Sequence, residues 1–282
     1  MLVDGSSLIF RAFYGVPGSV RSPDGKQVNA VRGFLDNLAR LVTERRPHKV
    51  AVASDEDWRP AWRVELIPGY KEHRTAEPVP PLLIPQFPVI HEILAAVGVD
   101  FVGVTDYEAE DVIATWTARA TEAGQAVEIV SGDRDLFALV REPQVRVLYP
   151  EKGGLARIDE AEVERRYGVP SRLYADFAVL RGDPSDGLPG MAGVGPKRAA
   201  ELVSRYGGVG GLVESGRVGA EVGDYLTRAL RVVAPVTGLP VELPDGCRPT
   251  YPVDAEASAA LAERWGLNSS VGRLVTALRL PR

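Results

Sequence analysis

At residues 127–136 the chain reads VEIVSGDRDL, a short β-branched run that leads directly into two acidic residues. The run Val127–Val130 has the length and composition of a buried strand, and Arg134–Val140 behind it has helical spacing. Upstream, the apolar run Lys49–Ala53 follows an amphipathic helical pattern at Ala30–Thr43. This alternation of short strands and helices predicts an α/β fold with a mostly parallel sheet.

The other segments before residue 159 fit the same fold. Further strands and helices are predicted at Leu2–Val3, Pro88–Val97, Asp100–Val104, Glu108–Ala123 and Val145–Leu148. From about residue 159 onward the sequence pattern is that of helices separated by glycine turns. These helices are predicted at Glu160–Tyr167, Ser171–Leu180, Pro196–Tyr206, Asp224–Val233 and Ala255–Leu280. We therefore expect a core over 1–158, a helical subdomain over 159–245, and a helical segment over 246–282 that packs on the core.

The composition restricts the class of protein. Cys247 is the single cysteine and there are only three histidines, which argues against disulfide scaffolds and zinc sites. No apolar run approaches the roughly 20 residues that span a bilayer, and no signal peptide is present, so we expect a cytoplasmic protein with no membrane partner. The formal net charge of −5 argues against a nucleic-acid partner only if the acids are dispersed. Cations bound to a cluster of acids would cancel them.

Acidic side chains recur where predicted strands end and where helices begin. They are Asp4, Asp55, Glu108, Glu110, Asp111, Asp133, Asp135, Asp183 and Asp186. The carboxyl ends of parallel strands share one edge of a sheet, so we expect Asp4, Asp55 and Asp133 to converge. Glu108 and Asp111 share a helix face, and Glu110 reaches the same site only from a first turn.

Such a cluster repels itself unless cations neutralise it. Mg²⁺ and Mn²⁺ prefer carboxylate and water oxygens, and two ions roughly 4 Å apart activate a water and stabilise the leaving oxygen in phosphodiester cleavage. The acids therefore predict a site for two or more divalent cations. The alternative is that they are solvated side chains that complement helix dipoles.

A second motif, GMAGVGPKR at residues 190–198, lies between two predicted helices. Gly190, Gly193 and Gly195 permit a tight hairpin, Pro196 suits a first helical position, and the free amides there can bind a phosphate beside Lys197 and Arg198. This pattern predicts a helix-hairpin-helix that grips a nucleic-acid backbone without reading bases. It lacks the Gly-Lys-Ser/Thr of a P-loop and the preceding strand of a dinucleotide site. An ordinary glycine-rich connection remains the alternative.

A third motif places an aromatic ring beside basic residues at Gly69–Arg74. Lys71 and Arg74 would clamp the scissile phosphate while a terminal base stacks on Tyr70. A solvated surface loop is the alternative. The next segment, Glu77–Pro88, contains five prolines, which exclude a regular helix or central strand. We expect residues near 69–88 to form a loop or a mobile cover over the active site.

These motifs occur in a fixed order along the chain: VDGSS at 3–7, YEAEDV at 107–112, GDRDL at 132–136, GDPSDGLPG at 182–190 and the GVGPK hairpin at 193–197. In that order they resemble the 5′ nuclease domain of bacterial family A DNA polymerases and the related flap endonucleases. The likeness covers nearly the whole chain. No polymerase domain follows the motifs, so a stand-alone 5′-3′ exonuclease is expected.

The resemblance implies a PIN-like core, two-metal hydrolysis at 5′ flaps, nicks and 5′ ends of DNA or RNA:DNA hybrids, and a monomeric protein. It assigns the nine acids to the metal site, Lys71 to the position of the family's active-site lysine, and Arg74 to a nearby basic position. It also places a K⁺ site at hairpin 190–195. Two positions depart from the family pattern, since Glu110 stands where Asp is usual and Gly187 replaces a common Asn.

Two other functions remain open. A branched-DNA-binding protein that has lost cleavage would keep the fold without the chemistry, but all nine acids are present. A PIN-type ribonuclease would lack the hairpin and the helical second half.

Overall fold

The computed structural model describes residues 1–76 and 79–281 and divides into two units. Unit 1 comprises Met1–Ser54, Val79–Gly103 and Glu242–Arg282, and unit 2 comprises Asp55–Pro78 and Val104–Val241. The elements in chain order are β1 (Leu2–Asp4), α1 (Gly5–Gly15), α2 (Asn29–Arg45), β2 (Ala51–Ala53), α3 (Ala61–Leu66), α4 (His73–Ala76), α5 (Gln86–Val97), β3 (Asp100–Val102), α6 (Ala109–Glu122), β4 (Val127–Val130), β5 (Val145–Glu151), β6 (Gly154–Ile158), α7 (Glu160–Tyr167), α8 (Tyr174–Arg181), α9 (Pro196–Tyr206), α10 (Val209–Glu214), α11 (Ala220–Val233), α12 (Ala255–Arg264) and α13 (Asn268–Leu278).

Unit 1 is built on three parallel strands in the order β3-β2-β1. Val3 lies opposite Val52, which lies opposite Phe101. The amphipathic α2 buries Phe34 and Leu38 completely and packs against α1 and α13. Helix α12 packs on α5 in the same unit. The apolar stripe predicted for α2 therefore faces the core, as helical periodicity requires.

Unit 2 continues the α/β pattern and then becomes helical. Strands β4 and β5 are parallel, with Val127 opposite Val145, and β6 pairs antiparallel with β5. Behind β4 a 3₁₀ helix over Asp135–Leu139 brings Phe137 into a buried aromatic cluster. The ring centroids of Tyr167 and Tyr174 are 5.0 Å apart, and Phe137 lies 5.4 Å from Tyr174. This cluster anchors α7 and α8 beside the acidic loop after β4.

The bounds of β4, α7 and α9 agree with the predicted segments, whereas the proline-rich segment differs. Helix α5 begins at Gln86, two residues before the predicted start at Pro88, so Pro88 lies within its first turn. A first-turn residue needs no intrahelical N–H donor, and proline is therefore tolerated there. Before the helix, residues 79–80 have no regular secondary structure and residues 81–85 form turns, in agreement with the expected loop. Glu77 and Pro78 lie outside the described residues. Across the described ranges, no helix is both long and apolar enough to cross a bilayer.

Candidate active site

The loop after β4 carries two acids that the backbone holds together. The backbone N–H of Asp133 donates to the Ser131 hydroxyl oxygen at 2.9 Å, and that of Asp135 donates to Asp133 Oδ1 at 2.9 Å. Both carboxylates therefore belong to one tight turn that opens the 3₁₀ helix. Such side-chain acceptors for nearby amides are the ordinary reason that Asp begins turns and helices.

Glu110 reaches the same turn from the first turn of α6. One ligand oxygen from each of Glu110, Asp133 and Asp135 lies within 4.8 Å of the others, and we call these three residues the acidic cluster. Glu110 and Asp135 are each only 6% exposed. Burial raises the pKa of both carboxyls well above their ordinary values, and the neighbouring charge of Asp133 raises them further. A divalent cation would remove this penalty, which makes the cluster a fitting metal site.

Arg63, which the sequence motifs did not single out, is a residue of α3 that contacts several of the acids. Its side chain is fully buried. Its guanidinium donates to Glu108 Oε2 at 2.6 Å, to Glu110 Oε1 at 2.8 Å, and to both oxygens of Asp111 at 2.9 and 3.0 Å. Its Nε donates to the Val232 carbonyl at 3.0 Å. Burial opposes the charge of Arg63, but the three carboxylates outweigh it and raise its pKa.

Asp111 and Asp55 are occupied by protein donors. Asp111 is fully buried, and besides Arg63 it accepts from the backbone N–H of Val236 at 2.8 Å. It also completes a capping box with Glu108 at the start of α6. Asp55 accepts from the backbone N–H of Ala109 at 2.7 Å, one residue into the same helix. These contacts fix the first turn of α6, on which Glu110 sits.

Lys71 is 3% exposed and bonds to two acids. Its ammonium donates to Glu108 Oε1 and lies 3.8 Å from Asp186 Oδ1. Burial opposes its charge, but Glu108 and Asp186 raise its pKa above the ordinary lysine value. The Lys71 backbone has a φ of 47° and donates to the Asp186 carbonyl at 3.0 Å. A left-handed conformation is uncommon for lysine, so this contact holds the residue in a costly backbone state.

Tyr70 and Arg74 flank Lys71 differently from the predicted clamp. The Tyr70 ring is 1% exposed and its hydroxyl donates to Glu108 Oε2 at 2.6 Å. A stacking role for Tyr70 does not fit this position, because a buried ring offers no face to a base. Arg74 lies in α4, is half-buried, and opposes the charge of Lys71.

The loop with Asp183 and Asp186 approaches Gly69 closely. Burial raises the pKa of Asp186 to about 6, against the opposing effect of Lys71. Gly187 has a φ of 73°, and a Cβ there would overlap the Gly69 carbonyl oxygen. The glycine that replaces a common Asn is therefore required by the local packing. Asp183 begins the 3₁₀ helix Pro184–Asp186 and is paired with arginines.

Asp4 lies in unit 1, at the end of β1. It is 5% exposed and caps α1 by accepting from the Ser7 backbone N–H at 2.9 Å. A Cβ on the adjacent Gly5 would lie 2.7 Å from Val52 Cγ1 and 2.8 Å from the Ala53 carbonyl. Only glycine allows the chain to turn from strand to helix at this point.

The predicted hairpin joins α8 to α9. Gly190 packs on the Gly182 backbone, and a Cβ on Gly190 would overlap it. At the tip, Gly193 has a φ of 74°, and no atom of the described residues lies within 4 Å of the position that a Cβ would take. Gly195 caps α9 without a side-chain bond, and Pro196 is its first residue. Lys197 and Arg198 are exposed, and Arg198 pairs with Glu201 at 2.9 Å.

Comparison with known proteins identifies two matching family models. Residues 1–168 match the 5′-3′ exonuclease N-terminal resolvase-like domain, and residues 169–233 match the 5′-3′ exonuclease C-terminal SAM fold. A 5′-3′ exonuclease of Streptomyces coelicolor is 49% identical over 303 residues, covering 99% of both chains. DNA polymerase I of Mycobacterium tuberculosis is 40% identical over 237 residues, covering 83% of this chain and 26% of the polymerase.

Among solved structures, the T5 D15 protein co-crystallised with metal ions matches with a TM-score of 0.70 at 15% identity, over 99% of each chain. At that identity the likeness concerns the fold alone, and it confirms the predicted α/β fold with a helical second half. The family matches cover both the acidic motifs and the hairpin. On this evidence the chain belongs to the 5′-3′ exonuclease family.

Proposed function

We propose that this 5′ nuclease cuts DNA where a single strand meets a duplex, at 5′ flaps, nicks and 5′ ends, and that it acts as a monomer with bound Mg²⁺ or Mn²⁺. The observation that carries the proposal is the acidic cluster of Glu110, Asp133 and Asp135, whose ligand oxygens converge within 4.8 Å in a largely buried position. RNA:DNA hybrids offer the same scissile bond and are included as substrates.

The donor set fits hard divalent cations. It consists of carboxylate oxygens alone, and among the residues that the structure describes neither Asp133 nor Asp135 forms a salt bridge. Glu110, Asp133 and Asp135 would hold a first ion, and Asp183 and Asp186 are the proposed ligands of a second. When bound, such ions lower the pKa of water and stabilise the leaving oxygen of a phosphodiester.

Lys71 is proposed to act on the scissile phosphate. Its raised pKa keeps the ammonium charged throughout the neutral range. Because Glu108 and Asp186 hold it, the charge is fixed before substrate arrives and costs little reorganisation during the reaction. Arg74, three residues further along the chain, is close enough to interact electrostatically with Lys71 and adds a second positive charge.

Hairpin 190–195 is proposed to bind the backbone of the duplex, with a K⁺ ion at its carbonyls. The open space around Gly193 and Gly195 allows a phosphate to approach the main chain. Lys197 and Arg198 lie exposed at the first turn of α9, where a helix start favours anions. Neither residue type nor geometry here distinguishes one base from another, so the contact is independent of sequence.

The domain boundaries follow from these roles. We propose residues 1–158 as the catalytic core, with a cover near 69–88, and residues 159–245 as the DNA-binding subdomain. Residues 246–282 contribute α12 and α13, which pack on α5 and α2 within unit 1.

The decisive experiment incubates the chain with end-labelled 5′-flap, nicked and single-stranded DNA, and with RNA of the same sequence, with and without Mg²⁺ or Mn²⁺. We expect metal-dependent cleavage at the junction. Asp133→Ala should reduce the rate by at least about a hundredfold, because bound metals supply several kcal/mol of transition-state stabilisation. Asp224→Ala, which removes an exposed acid that pairs with Arg228, is the matched control.

Two outcomes would contradict the proposal. Tight binding of branched DNA without cleavage under any metal condition would indicate a DNA-binding protein. Preferential cleavage of single-stranded RNA would indicate a ribonuclease.

A further inference from the structure

Asp183 differs from the acidic cluster because protein donors already occupy both of its oxygens. Oδ1 accepts from the Ser185 backbone N–H at 3.0 Å and from the Ser185 hydroxyl. Oδ2 accepts from Arg181 Nη2 at 3.0 Å and lies 3.5 Å from Arg134 Nη2. The Asp183 side chain is only 8% exposed, so water contributes little to its solvation. Two guanidinium groups therefore compensate one carboxylate.

In the part of the chain that the structure describes, Asp133 and Asp135 of the acidic cluster form no salt bridge with an arginine. Asp133 Oδ1 accepts from the backbone amide of Asp135, and Asp135 is buried next to other acids. The two parts of the site thus differ in the positive side chains that surround them before any metal binds. The acidic cluster is open to a metal cation, whereas Asp183 already pairs with two arginine side chains.

Arg181 is the stronger of the two partners. It is the last residue of α8, its Nε donates to the Gly182 carbonyl at 2.9 Å, and its guanidinium lies 5.3 Å from the centroid of Phe177. Its side chain is 17% exposed, compared with 38% for Arg134. Three contacts fix the Arg181 guanidinium, so it competes directly with a cation for Asp183 Oδ2.

We propose that Arg181, assisted by Arg134, closes the second cation position at Asp183 in the DNA-free protein, so that the chain binds one divalent ion at the acidic cluster and a second only when Arg181 is displaced. This inference rests on the proposed function, since it concerns the same metal site. It assigns to Arg181 a positioning role: the residue sets the affinity for the second ion without touching the reacting atoms.

The test is a titration of the metal-free full chain with MnCl₂, in which free Mn²⁺ is measured by electron paramagnetic resonance. Wild-type protein should bind one ion well before any second. Arg181→Met keeps the packing on Phe177 but removes the charge. It should tighten the second dissociation constant by about tenfold or more, the equivalent of one lost charge-assisted hydrogen bond. Adding Asp183→Asn to Arg181→Met should return the count to one.

Near-ultraviolet circular dichroism checks that each variant is folded. If Arg181→Met does not fold, Arg134→Gln replaces it and should tighten the second ion in the same direction. Two ions of similar affinity in the wild-type protein would overturn the inference whatever the variants do, as would an unchanged second dissociation constant in a folded variant. Assaying the same preparations for cleavage of a 5′-flap substrate distinguishes a failure of the proposed function from a failure of this inference. If no preparation cleaves the substrate, the proposed function is wrong. If the substrate is cleaved but two ions bind with similar affinity, only this inference is wrong.

Discussion

Replacing Arg63 with Met tests whether the site is held together by a buried counter-ion. Arg63 is 0% exposed and makes four hydrogen bonds to Glu108, Glu110 and Asp111, and a fifth to the Val232 carbonyl. Methionine fills similar space but carries no charge. The variant would leave three carboxylates, each at most 6% exposed, without their shared arginine.

The expected loss is large because the partners cannot return to water. Removing one member of a buried ion pair costs about 3–5 kcal/mol, and here one arginine serves three acids, so we expect the upper part of that range. The loss should depend on pH. Burial raises the pKa of Glu110 and Asp111, and Arg63 opposes this rise, so without Arg63 both carboxyls take protons more readily. Protonation removes the unpaired charge, so the deficit should shrink as the pH falls.

Urea denaturation of metal-free protein, followed by circular dichroism at about pH 8 and about pH 5, measures both effects. Arg198→Met is the matched control, because its ion pair with Glu201 is 58% and 64% exposed and should contribute less than about 1 kcal/mol. A loss for Arg63→Met no larger than that of the control, or a loss of equal size at both pH values, would refute the counter-ion argument.

Three further predictions concern the chemistry, the DNA contact and the pH response. Lys71→Ala should slow single-turnover cleavage by about a hundredfold with little change in affinity, and the reverse result would make Lys71 only a binding residue. Lys197→Ala should weaken junction binding at every sequence and reduce the salt slope by roughly one, while cleavage of a short single strand is unaffected; equal losses on both substrates would mean that the hairpin is structural. Because the pKa of Asp186 rises from 3.8 to about 6 on folding, its carboxyl favours the folded state below pH 3.8, and this contribution, roughly 3 kcal/mol, is lost as the pH rises through about 6. Asp186→Asn should flatten that part of the stability profile in metal-free protein, and an unchanged profile would contradict the assignment.

The sequence predicted elements well where a pattern is local. Val127–Val130 and Pro196–Tyr206 are bounded by residues that end a strand or begin a helix, and the structure keeps those bounds. It did not predict α1, because Gly5-Ser6-Ser7 are weak helix formers. That helix forms since Asp4 caps it and Gly5 fits against β2. Both causes are tertiary or capping effects that periodicity does not report.

The residues of the candidate site divide in the same way. Acids that follow strands or open helices can be recognised from position alone, and Glu110, Asp133 and Asp135 were among them. Arg63 carries no such signal, because a single arginine in a short helix has the same local pattern whether buried or exposed. The sequence gives only indirect evidence for it. Three acids within residues 108–111 would repel one another if buried together, which predicts a neighbouring cation without identifying the residue that supplies it. Tyr70 shows the converse, because its basic neighbours indicated exposure while its hydroxyl bonds to Glu108 in the interior.

The distribution of positive charge limits what can be concluded from the number of acids. Within unit 2, Arg63 serves three carboxylates, Lys71 contacts Glu108 and Asp186, and Arg181 pairs with Asp183. A count of acidic residues therefore overstates the negative charge that metal ions must neutralise. The positive charges also divide the acids into two groups. Glu108, Glu110, Asp111 and Asp183 have arginine partners, whereas among the residues that the structure describes Asp133 and Asp135 form no salt bridge. The demand for a cation is thus concentrated at Asp133 and Asp135, and this local imbalance, rather than the net charge of −5, is the electrostatic feature that marks the site.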